Sequence, residues 1–189
     1  MSYEIISESH YHRIVALSDT EVGKIPPINP LVFVDVATGK ESSMLNFKMD
    51  IDFEIRRLEY ANAINSLMVR FIRKDKFDES TDMLVMERLC PMDFQSLDKH
   101  ERIPVFEKFI TQMDELHRHG FLHGDIEHPI RGTPEFMFNN IILTNNGLRL
   151  VDTGFSLIRK EEPDMARFIR LMRGEMLEIM NFKEYFIGS

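Results

Sequence analysis

Cysteine occurs once in this sequence of 189 residues, as Cys90. A lone thiol excludes an internal disulfide and fits a reducing compartment. Tryptophan is missing altogether, whereas methionine occurs thirteen times. Methionine fills irregular core space readily, and the excess carries no functional message. Long apolar runs are missing too. All that occur, Phe136–Phe138 and the stretch Asn140–Leu143 included, fall far short of the roughly 20 residues that a membrane helix needs. The N-terminal MSYEIISESH has neither a basic n-region nor an apolar h-region, so a secretory signal is not expected. Positive charge is scarce: 23 Lys and Arg face 31 Asp and Glu, a formal net charge of −8. That balance argues against a nucleic-acid partner, which would call for a basic face. Internal repeats and low-complexity tracts are absent. The expected setting is cytoplasmic, without membrane insertion, with release as an effector left open. A hydrophobic content of 43% suits one compact domain with a sizeable core, and room for two lobes.

The first third reads as strands. HRIVALS and LVFVDVA are β-rich runs separated by KIPPINP, and SSMLNFKM follows the turn ATGK as a further strand. A helix is expected from Asp52, its N-cap, through FEIRRLEYANAI, with Phe53, Ile55, Leu58 and Ala61 among its apolar positions. LMVRFIR and DMLVMERL read as two more strands, joined by a charged turn. Beyond CPMDFQSLDKHER the pattern becomes helical. Pro104 marks a helix start, Val105, Phe106, Phe109, Ile110, Met113 and Leu116 form one stripe, and Gly120 is the stop. A last helix is expected from about Pro163, burying Met165, Phe168, Ile169, Met172, Met176 and Ile179.

Between those helices lies FLHGDIEHP, followed by IILTNNGLRLV, a hairpin pattern turning at Asn145-Asn146-Gly147. A hairpin brings its ends together, so Asn140 and Asp152 are expected within about 5–8 Å of each other. An amide oxygen and a carboxylate at that separation are hard donors suited to Mg²⁺ once phosphate oxygens complete the octahedron. Taken singly, Asn140 reads as a strand cap, Asp152 as a turn residue and Asp125 as a solvated loop acid. The histidines offer no third ligand at a zinc spacing; His117 and His119 read as caps on a helix C-terminus, and His123 as a brace for its loop.

Together, His123-Gly124-Asp125, Asn140-Ile141-Ile142-Leu143 and Leu150-Val151-Asp152-Thr153-Gly154 resemble the catalytic core of protein-kinase-like phosphotransferases, in the version with glycine in the H-x-D motif. The resemblance implies an α+β, two-lobed kinase-like fold. Residues 1–89 would form a small antiparallel sheet with one helix, and residues 90–189 a truncated, mainly helical second lobe. It implies that Asp125 orients the attacking hydroxyl and accepts its proton. Asn140 and Asp152 would hold Mg²⁺ on the phosphates of ATP. Upstream, Glu54-Ile55-Arg56-Arg57-Leu58 resembles the helix whose glutamate pairs with the strand lysine, and LVMERL the strand and hinge. There Met86 would be the gatekeeper, with Glu87 and Leu89 offering backbone hydrogen bonds to adenine. The implied activity is transfer of the ATP γ-phosphate to a hydroxyl, of a protein Ser/Thr substrate first. A pseudokinase binding module and a small-molecule kinase of the aminoglycoside or choline type are the alternatives.

Four departures from the pattern are visible. Fourteen residues separate Asp125 from Asn140, where the family usually has about four. This reads as an excursion within EHPIRGTPEFMFN; the rival register would put Ile130 in the asparagine position. No G-x-G-x-x-G loop is present, SDTEVGKI having one glycine. The strand lysine is assigned to Lys48 of LNFKM, although Lys48 stands only six residues before Glu54. Lys24 and Lys40 are outside candidates, and LVFVDVA as that strand would put Asp35 there instead. Finally, 37 residues follow Asp152 and contain no A-P-E motif, so activation-segment control is not expected.

Overall fold

A computed structural model describes residues 3–8, 12–26, 32–34, 41–43, 50–129 and 136–188. The chain folds as two units, Met1–Ile55 with Phe71–Arg88, and Arg56–Arg70 with Leu89–Ser189. Residues 56–70, expected with the first half, thus cluster with the second.

The first unit is built on a five-stranded antiparallel sheet. Its strands are β1 (Glu4–Glu8), β2 (Arg13–Ala16), β3 (Glu21–Ile25), β6 (Phe71–Lys76) and β7 (Asp82–Glu87), in the order β1-β2-β3-β7-β6. Two short strands, β4 (Val32–Val34) and β5 (Glu41–Ser43), pair separately. Alternation explains the sheet: Val15, Ile25, Met83 and Val85 point to one face and are buried, with Leu17, Ile72 and Phe77 against them. Strand β3 was not expected. Its neighbours Ser18, Asp19 and Thr20 form a turn in which Ser18 Oγ accepts from the Glu21 amide at 3.1 Å, and this turn closes the β2–β3 hairpin.

Helix α1 (Ile51–Asn62) starts two residues earlier than expected. Asp50, not Asp52, is the cap, its Oδ1 accepting from Phe53 N at 2.9 Å. Ile51 to Ile55 belong to the first unit and the rest of α1 to the second. Residues Leu67 to Val69, expected as the start of a strand, instead make a parallel bridge from Met68 to Leu150 inside the second unit.

The second unit holds the long helices α2 (Lys99–Arg118) and α3 (Met165–Gly188), with short strands between them: β8 (Phe121–Leu122), β9 (His128–Pro129), β10 (Phe136–Met137), β11 (Ile141–Thr144), β12 (Gly147–Leu150) and β13 (Leu157–Ile158). Pro104 lies inside α2 rather than at its start. The helix begins five residues earlier because Asp98 and Glu101 form a capping box: Asp98 accepts from His100 N and Glu101 N, and Glu101 reaches back to Asp98 N at 2.8 Å. Phe106, Phe109, Met113 and Leu116 are buried, and α2 stops at Gly120 with φ +81°. Phe109, Phe138, Phe182 and Phe186 converge in an aromatic cluster, Phe182 lying 5.7, 5.1 and 5.5 Å from the other three.

The expected burial of α3 needs correction. Phe168, Glu175, Ile179, Phe182 and Phe186 face inward, whereas Met165, Ile169 and Met176 are exposed. The stripe was placed about a quarter-turn off, because methionine and isoleucine are spread around this helix and the four deepest positions include one glutamate. Among the described residues no helix is long and apolar enough to cross a membrane.

Candidate functional site

The second unit gathers His123, Asp125, Asn140 and Asp152 around one loop. Helix α2 delivers the chain into β8, which is wholly buried and pairs with β13 through Leu122↔Leu157 and Phe121↔Ile158. The loop then turns at Gly124, φ +77°, where a Cβ would meet the Phe155 carbonyl oxygen at 2.5 Å. Glycine between His123 and Asp125 is therefore a steric requirement of this loop. His123 is fully buried, and its Nε2 lies 2.9 Å from the Val151 carbonyl, tying the loop to the segment that carries Asp152.

Glu175, from the middle of α3, completes the brace. Its carboxylate accepts from the backbone amides of His123 (3.2 Å) and Gly124, and pairs with His117 Nε2 at 2.8 Å. His117 thus serves this buried carboxylate and is not a free cap on the helix end. A carboxylate with 2% exposure, shared by two loop amides and an imidazole, fixes the loop at the residues just before Asp125.

Asp125 is engaged on both carboxylate oxygens. Asn140 Nδ2 donates to Oδ2 at 3.0 Å and to the Asp125 main-chain carbonyl at 2.8 Å. His128 Nε2 stands 3.1 Å from Oδ1. Burial pushes the Asp125 carboxyl above the usual aspartate range; His128 and His123 pull it down, and the Asp152 carboxylate pushes it further up. The fourteen intervening residues therefore return Asn140 to Asp125. They do so through the ribbon β9–β10, in which His128 pairs with Met137 and Pro129 with Phe136. Ile130, the rival for the asparagine position, lies outside the described residues. The excursion is not wholly external: Ile126 and Phe138 at its two ends are buried, and Glu127 accepts from Asn181 of α3 at 2.7 Å.

The β11–β12 hairpin turns through Asn145 and Asn146, with Gly147 at φ +105°. Its register sets Asn140 beside Val151, whose amide donates to the Asn140 carbonyl at 3.0 Å, one residue short of Asp152. Asp152 itself has φ +62°, alone among described non-glycine residues in the left-handed region, and its Oδ1 accepts from Gly154 N at 3.0 Å. Aspartate tolerates that backbone better than most residues, and strain kept at one loop acid marks a constrained position.

A divalent cation suits these donors. Asn140 uses its amide nitrogen on Asp125, which leaves the amide oxygen as its donor atom, and Asp152 adds a carboxylate that acts electrostatically on Asp125, whose carboxyl is raised chiefly by burial. Two oxygen donors from protein, with phosphates supplying the rest, is the pattern of Mg²⁺ sites. Among the described residues no group of three or more His, Cys, Asp or Glu is arranged to hold a metal by itself. Glu178, one turn along α3 from Glu175, is also pushed up by burial, with Glu175, Glu127 and Asp125 adding to the shift.

In the first unit Glu54 is 4% exposed and receives Lys24 Nζ at 2.8 Å; Lys24 is 3% exposed. The glutamate pairs with the lysine of β3, while Lys48, assigned to that pairing from the sequence, lies outside the described residues, as do Lys40 and Asp35. Glu87 ends β7 opposite Glu21 of β3 and Met86 before it is buried. Leu89, half-buried, begins the next stretch of the second unit. Sequence reasoning held Lys24 only as an outside candidate and missed Glu175. Lys24 sits in a short strand bounded by Ser18-Asp19-Thr20 and Pro26, a strand signal in retrospect. Glu175 is the one charge in line with Phe168, Ile179, Phe182 and Phe186 at helical spacing.

No family model matches this chain, and no curated protein matches it. Among solved structures it is similar to the Legionella pneumophila Lpg2603 kinase bound to IP6, with a TM-score of 0.60 and 15% identity over 95% of this chain and 58% of that one. The Cydia pomonella granulovirus kinase PK-1 gives a TM-score of 0.47 and 17% identity over 82% of this chain and 52% of that one. The chain spans little more than half the length of the kinases it matches. At these identities the likeness concerns architecture, and the fold is α+β and kinase-like, with an antiparallel N-terminal sheet and, among the described residues, three α-helices.

Proposed function

We propose that this kinase-like chain is an ATP-dependent phosphotransferase that passes the γ-phosphoryl group to a hydroxyl. The observation that carries the reading is Asn140 folded back onto Asp125 across fourteen residues, with Nδ2 at 3.0 Å from Oδ2. A chain that had abandoned this chemistry would have no need to restore the pair across so long an interval. The buried Lys24–Glu54 pair supports the same reading, since such a pair holds the lysine that meets nucleotide phosphates in kinases. Glu87 and Leu89 offer backbone groups for adenine.

The chemistry is positioning and charge neutralisation. Asp125 accepts a hydrogen bond from the acceptor hydroxyl and takes its proton. The acceptor oxygen forms a bond to the γ-phosphorus while the bond to the β–γ bridging oxygen breaks and ADP leaves. The Asn140 amide oxygen and the Asp152 carboxylate would hold Mg²⁺, which would supply positive charge against the phosphates. A protein Ser/Thr hydroxyl is the favoured acceptor. Among the described residues no helix stands between Arg118 and Met165 to wall off a small-molecule pocket.

Phosphate transfer to a protein mixture tests the reading. Asp125→Asn keeps the shape of the side chain and removes the base, so transfer falls by about 10²–10⁴ while ATP·Mg²⁺ affinity stays within a few-fold. Asp152→Asn abolishes the additional thermal shift that Mg²⁺ gives over ATP alone. A wild type that binds ATP·Mg²⁺ and transfers no phosphate to protein, small molecule or itself refutes the enzyme and leaves a binding module.

A further inference from the structure

The ribbon between Asp125 and Asn140 does more than return the chain. Its first residue, His128, is set by the β9–β10 pairing, its backbone opposite Met137, and this directs its imidazole back onto the carboxylate three residues earlier. We infer that His128 is a positioning residue for phosphotransfer, its Nε2–H fixing Asp125 Oδ1 while Asn140 fixes Oδ2. The inference rests on the reading of Asp125 as the group that orients the acceptor hydroxyl.

The geometry supports it at three points. First, a carboxylate has about four lone-pair sites on its two oxygens. Asn140 at 3.0 Å occupies one on Oδ2 and His128 at 3.1 Å one on Oδ1. The plane of the carboxylate is thereby set from both ends, and a lone pair remains on each oxygen for an incoming hydroxyl. Second, the tautomer follows from the partners. Nε2 faces a carboxylate oxygen, which only accepts, so Nε2 carries a proton. Nδ1 is shielded from solvent and meets no donor or acceptor among the described residues. An imidazole with one nitrogen committed and the other unpartnered has no competing contact to turn it away. Third, the ribbon register places His128 opposite Met137 and Pro129 opposite Phe136, so the backbone that carries the imidazole is held by strand pairing independently of Asp125.

Glutamine and asparagine separate this role from simple packing. The amide nitrogen of glutamine reaches about as far from the backbone as Nε2, whereas that of asparagine stops near Nδ1. His128→Ala lowers kcat by about 10- to 100-fold, the value of one hydrogen bond to a charged group, with KM for ATP unchanged. His128→Gln recovers most of that loss, His128→Asn does not, and added imidazole partly restores His128→Ala. In the wild-type chain, ¹⁵N shifts of the His128 ring report the Nε2–H tautomer. A His128→Ala with wild-type kcat, an asparagine variant as active as the glutamine variant, or an Nδ1–H tautomer overturns the inference. Asp125→Asn, run in parallel, keeps the two ideas apart. Activity lost in Asp125→Asn but intact in His128→Ala refutes only the role of His128. An Asp125→Asn as fast as wild type refutes the phosphotransfer reading itself.

Discussion

Replacing Glu175 measures how much of the loop before Asp125 depends on the last helix. Its buried carboxylate satisfies three donors: the buried amide of His123, the part-buried amide of Gly124 and the part-buried Nε2 of His117. In Glu175→Ala each donor loses its acceptor in a site that water barely reaches, at about 1–3 kcal/mol apiece. Three such losses total about 3–9 kcal/mol, against a whole-domain stability of about 5–15 kcal/mol. At about 2–4 °C per kcal/mol for a chain of this size, Tm falls by at least about 6 °C. Glu175→Gln retains one carbonyl oxygen but turns an NH₂ group toward the remaining donors, so its loss lies between wild type and alanine. Urea unfolding followed by circular dichroism gives the stabilities. Amide hydrogen exchange gives the location: His123 and Gly124 exchange faster in Glu175→Gln, while amides in the middle of α2 keep their protection. A glutamine variant as stable as wild type, with the Gly124 amide still protected, would refute the account of Glu175 as the anchor.

Three other perturbations follow from the same structure. Lys24→Met strands the buried Glu54 and costs about 3–5 kcal/mol; Lys24→Met with Glu54→Leu recovers most of that stability by urea titration, yet not phosphotransfer. Glu178→Gln raises Tm at neutral pH. Burial lifts the folded-state pKa of Glu178, so its folded-state contribution is present while the carboxyl is protonated and is lost as pH rises through that lifted value. The gain from glutamine therefore disappears in scans taken below the ordinary glutamate range, and an equal gain at every pH contradicts this cause. Phe138→Ala, which empties a position 5.1 Å from the Phe182 ring, costs about 3–5 kcal/mol, whereas removing residues 131–134 leaves cooperative unfolding in place, both read by calorimetry.

Much of this was legible in the residues, and the failures have physical causes. Strong local signals held: the apolar stripe of α2, the stop at Gly120, the hairpin at Asn145-Asn146-Gly147, and the kinase-like α+β class. The N-terminus of α2 was misplaced because Pro104 was given more weight than the capping box, though Asp98 and Glu101 satisfy three orphan amides between them. The face of α3 was misplaced because a long helix with apolar residues all round gives no clear phase, and only tertiary packing selects Phe182 and Phe186 over Met176. Lys24 escaped because its strand is short and is half made of residues with weak β preference, so its identity rests on pairing with β2 and β7. His128 could not be found by spacing at all. Its contact with Asp125 depends on a ribbon in which its partner, Met137, lies nine residues on.

That ribbon makes distance along the chain a poor guide to distance in space. Asp125 and Asn140 touch, and both ends of the interval are pinned, by the Asn140 hydrogen bonds and by Phe138 against Phe182. Once the ends are held, doubling the length of the loop between them adds only about 0.6 kcal/mol of closure entropy. A change in chain length between the two held ends is thus close to neutral for stability. Recognition of such chains by fixed motif intervals fails for the same reason that the fold tolerates the change: what is preserved is a contact, and the contact sets no ruler along the sequence.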